Sequence, residues 1–100
     1  MLYAIIATDR PGSLPARLTA RPAHLERLRA LQDQGRLILA GPHPTIACED
    51  PGEAGFSGSL IVAEFSDLET AQAWAADDPY ALAGIYGEVR VKPFRKVFPT

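Results

Sequence analysis

A single cysteine, Cys48, excludes any disulfide within the chain and fits a reducing compartment, so the core must hold by packing alone. Long apolar runs are missing as well: the opening stretch Leu2 to Ala7 falls far short of the roughly 20 residues that a membrane helix needs. No basic segment precedes it, as a secretory leader would require. Charge of one sign is also lacking. Ten Lys and Arg against twelve Asp and Glu leave a net charge of −2, without the concentrated basic face of a nucleic-acid binder. The stretch Gly55-Phe56-Ser57-Gly58-Ser59 has neither the spacing nor the lysine of a phosphate-binding loop. His43 and Cys48 share one loop, but two candidate ligands fall short of a closed metal site. These absences predict a cytoplasmic protein with no membrane segment, no nucleic-acid partner, no metal and no organic cofactor.

What remains is an ordinary globular composition, 47% apolar and 22% charged over 100 residues, and residues 1–100 read as a single domain. Leu2 to Thr8, closed by the turn signal Asp9-Arg10-Pro11-Gly12, predicts a strand. From Leu14 to Gln34 the period becomes helical, with Leu18, Leu25, Leu28 and Leu31 on one stripe and Glu26, Arg29 and Asp33 turned away. Pro22 predicts that the regular helix starts near Arg21 or Pro22, after a looser arm, and Gly35 should end it. Arg36 to Ala40 reads as a strand stopping at Gly41-Pro42, His43 to Gly55 as a loop or a loose hairpin, and Phe56 to Phe65 as a further strand. Ser66-Asp67-Leu68-Glu69 matches a capping box for a helix from Asp67 to about Ala76, with Leu68, Ala71 and Ala75 inward. Asp78-Pro79-Tyr80 ends that helix, and Tyr86 to Val97 forms the last strand, where Pro93 predicts an edge position or a bulge. The order βαββαβ predicts a ferredoxin-like α+β fold, in which two helices cover one face of a four-stranded antiparallel sheet. The other face is left apolar and bare, which predicts a homodimer.

Polar side chains on an inward helical stripe need partners or a wet cavity. At 100° per residue, His24 lies about 40° to one side of Leu28 and Arg21 about 20° to the other, with Arg17 close by if the helix reaches that far. His24 is therefore either a general acid or base or a structural histidine bonded to a carbonyl. Arg21 either grips a carboxylate or phenolate with its planar fork or lies at the pocket lip. Asp78, before a proline at a helix end, is either a turn-former or the group that orients His24. Gly41 and Ser59 are strand residues that could line a cavity by allowing close approach. Tyr80 is expected to pack beside the same turn and to meet a bound ligand.

The chain resembles the YciI family (YCII-related proteins) over nearly its whole length. The residues that carry the likeness are Tyr3-Ala4-Ile5-Ile6, Arg21-Pro22-Ala23-His24-Leu25-Glu26-Arg27-Leu28 and Gly35-Arg36-Leu37-Ile38-Leu39-Ala40-Gly41-Pro42. Gly58-Ser59-Leu60-Ile61-Val62, Asp78-Pro79-Tyr80 and Val91-Lys92-Pro93-Phe94 add to it. The resemblance implies a dimeric α+β barrel of ferredoxin-like type. It also implies a site made from the helix histidine and the aspartate of the Asp-Pro-Tyr turn, which fall on His24 and Asp78. A family relative is a dehydrochlorinase acting on a chlorinated hydroxyhydroquinone, so the likeness extends to proton-transfer chemistry. The loop Ala47 to Ala54 matches no family pattern.

Two functions are expected. In the first, the protein is a cofactor-independent, lyase- or dehydrochlorinase-like enzyme acting on a small anionic or phenolic compound. His24 transfers a proton, Asp78 orients the imidazole and Arg21 holds negative charge. In the second, the same cavity belongs to a non-catalytic metabolite-binding or accessory dimer, because the sequence has no nucleophile–base pair and no cofactor motif. The first reading expects His24→Ala or His24→Gln to abolish turnover and leave the melting temperature nearly unchanged.

Overall fold

A computed structural model describes all 100 residues, Met1–Thr100. The elements are β1 (Leu2–Asp9), α1 (Leu14–Asp33), β2 (Leu37–Pro44), β3 (Phe56–Glu64), α2 (Leu68–Ala76), α3 (Pro79–Leu82) and β4 (Tyr86–Phe94), with a 3-10 turn at Gly52–Ala54. The strands form one antiparallel sheet in the order β2-β3-β1-β4, the ferredoxin-like α+β arrangement. Strand alternation sends Tyr3 and Ile5 of β1, Ile61 and Ala63 of β3, and Phe65 just beyond it, into a core shared with Leu31, Ala71 and Ala75. A smaller cluster joins Ala7, Tyr80, Ile85 and Tyr86 at the end of the sheet where the site lies. The opposite sheet face carries no helix. No helix is long and apolar enough to cross a membrane.

Several boundaries differ from the sequence expectation, each for a physical reason. α1 starts at Leu14 and runs unbroken through Pro22, not from Arg21 or Pro22. Pro22 is exposed, so water can satisfy the Leu18 carbonyl that its missing N–H would have bonded. Buried bonds from Arg17 anchor the early turns. The buried positions of α1 are Arg17, His24 and Leu31, while Leu18 is 56% exposed, so the leucines only approximate the inward line. Gly35 does end the helix: its φ is 70°, its N–H reaches the Gln32 carbonyl, and that of Arg36 reaches Leu31. The cap of α2 is Asp67, whose carboxylate accepts the Thr70 N–H at 2.7 Å, rather than Ser66. Leu68, in that first turn, is exposed. β2 continues past Gly41 to Pro44, and β4 stops at Phe94. Both are edge strands, where a proline sacrifices no ladder bond.

Gly58 marks a close approach of β3 to β1: a Cβ there would stand 2.0 Å from the Ala7 carbonyl oxygen. That atom is backbone and cannot swing aside. Gly58→Ala is expected to destabilise the fold by about 3 kcal/mol, the upper range for overpacking. Urea unfolding would show this as a lower midpoint, and an unchanged midpoint would mean that the strands have room.

Candidate active site

α1, the outer half of β2 and the start of β3 enclose a cavity of about 420 Å³. Leu25, Leu28, Ala40, Pro42 and Phe56 make its apolar wall, and Arg17, Arg21, His24 and Tyr80 its polar one. Arg17, Arg21 and His24 reach it together because steps of four and three residues stay on one helical face.

His24 is 6% exposed and its Nδ1 lies 2.9 and 3.0 Å from the two oxygens of Asp78. Asp78 is 1% exposed and caps α3, where Oδ1 also accepts the Tyr80 N–H at 2.9 Å. Pro79 opens α3 and holds this turn, so Asp78 is both turn-former and imidazole partner. The imidazole stacks on Tyr80, with centroids 4.0 Å apart and planes at 17°. With a carboxylate on Nδ1, the donor role falls to that nitrogen, and in the neutral imidazole Nε2 is then the acceptor. Nε2 has no hydrogen bond in the protein, and His24 lines the cavity. The histidine is therefore not bonded to a carbonyl.

The other sequence candidates divide. Arg21 is exposed at the cavity rim and makes no ion pair. Tyr80 forms part of the wall, and burial holds its phenol above the usual range. Gly41 lines the cavity, and a Cβ there would meet nothing within 4 Å, so its small size leaves space without being demanded by the fold. Ser59 does not line the cavity. It is buried beneath it, where its Oγ accepts from Arg17 at 2.7 Å. Asp78 likewise supports the wall from behind.

Sequence reasoning missed Asp9 and gave Arg17 only a conditional place. The Asp9 carboxylate accepts both its hydrogen bonds from Nη1 of Arg17, at 2.9 and 2.7 Å, and both side chains are buried. Asp9 had been absorbed into the turn signal that ends β1. The available clue was an Arg on the same stripe as His24, which had to find an acid.

Tyr86 lies below this network against Ser59, but its hydroxyl is buried and completes no hydrogen bond. Burial raises its phenol far above the ordinary 10.0. The folded protein keeps that proton where the unfolded chain releases it. The stabilisation is therefore complete below about pH 10 and is lost as pH rises further. Tyr86→Phe is expected to hold or raise stability at pH 7 by about 1 kcal/mol and to lessen the alkaline loss. Thermal unfolding at pH 7 and 10.5 checks both signs, and a marked loss at pH 7 would show that the hydroxyl has a partner.

With the geometry in place, the similarities to known proteins carry weight. The family profile of the YCII-related domain matches residues 1–95. Protein YciI of Escherichia coli O6:H1 is 59% identical over 98 residues, covering 98% of this chain and 100% of that protein. A Haemophilus influenzae protein is 53% identical over the same length and coverage. Among solved structures, 5-chloro-2-hydroxyhydroquinone dehydrochlorinase from Burkholderia phenoliruptrix AC1100, in complex with 2,5-dihydroxybenzoquinone, superposes with a TM-score of 0.82. Its sequence is 26% identical, and the match covers 95% of this chain and 94% of that one.

Proposed function

The chain belongs to the YCII-related domain family, and from that premise we propose that it is an enzyme moving a proton on a small anionic or phenolic ring compound through His24 and Asp78. The observation that carries this reading is the division of labour on one imidazole: Nδ1 is held by a buried carboxylate, while Nε2 is left for the cavity. In the proposed chemistry Nε2 takes the proton and Asp78 stabilises the imidazolium that results. Arg21 meets the charge left on the ring oxygen. In an elimination the leaving group departs with its bonding electrons. In a tautomerisation Nε2 returns the proton to another atom.

The dehydrochlorinase of similar fold supports an elimination, and its ligand supports a one-ring, oxygen-rich substrate. The test is to incubate the protein with 5-chloro-2-hydroxyhydroquinone and follow chloride release, beside a thermal-shift screen of small aromatic acids and phenols. Release above the buffer rate, or turnover of a compound from the screen, is expected. Binding without turnover would favour the metabolite-binding reading, and no binding at all would refute both.

A homodimer is part of the proposal. On the sheet face without helices, Leu39, Val62 and Ala4 form one cross-strand row and Leu60 and Ile6 part of the next. Val62 and Ala4 are already buried within the chain, but Leu39 is 48% exposed and Leu60 and Ile6 are half-buried, and a second copy laid on this face would remove them from water. Light scattering should give twice the mass of one chain.

A further inference from the structure

The proton-transfer reading leaves one buried cation at the cavity unused. Arg17 and Arg21 line the same space one helical turn apart, yet they differ in electrical state. Arg21 has no acidic partner. Arg17 is neutralised by Asp9 at 2.7 Å and donates through Nη2 to Ser59 at 2.7 Å. Its guanidinium is packed 4.5 Å from the Tyr80 ring centre and 5.4 Å from that of Phe56. Three kinds of contact fix its plane.

Two N–H donors of that fork are left over, the second N–H of Nη2 and the Nε–H, and only Nε is a nitrogen with no hydrogen bond at all. The Arg17 Nε–H has no partner in the protein, and it is not a sealed orphan, since the Tyr86 hydroxyl is the sole buried side-chain atom in that condition. Arg17 is only 4% exposed and lines the cavity, so the reach left to Nε is into that cavity.

We propose that Arg17 is a second ligand-binding group, selecting rings that carry a neutral hydroxyl or carbonyl oxygen in addition to the anionic oxygen held by Arg21. A guanidinium whose charge is cancelled by Asp9 still offers a directed N–H, but little net attraction for a second anion, which would also face the Asp9 carboxylate. Because the fork is already fixed, a ligand oxygen meets it without ordering a side chain. The favoured ligands are monoanionic rings with two oxygen functions. Rings with one oxygen function bind more weakly, and dianions gain nothing from their second charge. This inference rests on the anion-holding role of Arg21.

The experiment compares benzoate with 2-, 3- and 4-hydroxybenzoate, which share one charge and differ by one neutral oxygen whose position is scanned. Titration calorimetry on the wild-type protein should show the best isomer binding about tenfold more tightly than benzoate, as a hydrogen bond to a charged donor provides. Arg17→Lys, which keeps a cation beside Asp9 but has no Nε–H, should lose that tenfold gain and keep its benzoate affinity. Arg21→Gln, at an exposed position, should weaken all four ligands alike. Because Arg17→Lys disturbs a buried pair, the wild-type Arg17 Nε–H resonance supplies an independent readout: it should shift with the best hydroxybenzoate and stay still with benzoate. If benzoate binds and no isomer gains, or the resonance does not move in the bound state, the inference is overturned and the Arg21 reading stands. If no benzoate binds, the Arg21 reading fails and this inference falls with it.

Discussion

His24→Asn is expected to lower turnover at least a hundredfold while shifting the melting temperature by only a few degrees. An asparagine amide can occupy the place of Nδ1 and donate to Asp78, so the buried carboxylate keeps its partner. Nothing in asparagine reaches the position of Nε2, and a positioned acid or base contributes about 10² to 10⁴ in rate. His24→Ala is a different experiment. It leaves a carboxylate that is 1% exposed with the Tyr80 N–H as its remaining partner, and breaking a buried pair in this way costs about 3–5 kcal/mol. His24→Gln is intermediate, because its longer amide enters the cavity and gives up Asp78. The expectation from sequence that Ala and Gln would be thermally silent therefore does not survive the burial of the pair. Measuring kcat and unfolding for all three variants separates chemistry from support. An Asn variant that keeps more than a tenth of the activity would remove Nε2 from the reaction.

Much of the fold was legible because periodicity is local. The run Leu2 to Thr8 and the alternation from Phe56 to Phe65 identify strands without reference to anything distant. Gly35 stops α1 where a left-handed residue is required. The order of elements then leaves few topologies to consider. What failed was anything decided by one particular hydrogen bond. The start of α1 depends on Arg17 meeting Asp9 and Ser59, which no helical propensity encodes. The cap of α2 fell to Asp67 because its backbone is extended and its carboxylate reaches Thr70, although Ser66 fitted the motif equally well. The site was half legible. Helical spacing put Arg21 and His24 on one face, but 54 positions separate His24 from Asp78, and a family likeness joined them before the geometry did. Ser59 was singled out correctly as a special strand residue and given the wrong task, since its hydroxyl turns to Arg17 beneath the cavity.

Arg17→Met is expected to be among the most destabilising single changes in the molecule outside the hydrophobic core. It removes the cation from a buried ion pair and leaves Asp9, its side chain 3% exposed, charged and without its arginine partner. Such a loss costs about 3–5 kcal/mol, a fall of roughly 15–30 °C in melting temperature for a domain of this size. The double variant Asp9→Leu/Arg17→Met should recover most of that loss, since two apolar side chains avoid the desolvation that both charges incur. Ser59, released from Arg17, then lies free to bond the neighbouring Tyr86 hydroxyl, which has no partner in the native protein. Differential scanning calorimetry of the two variants checks the order. A single variant as stable as wild type would mean that the pair is solvated, whereas a double variant as unstable as the single one would mean that the pair is needed for folding. Recovery has a further consequence: if apolar residues hold the fold equally well, stability is not the reason a charge is buried beside the cavity. The recovered double variant should then melt like the native protein and bind hydroxybenzoates no better than benzoate, because it has lost the guanidinium N–H that distinguishes them.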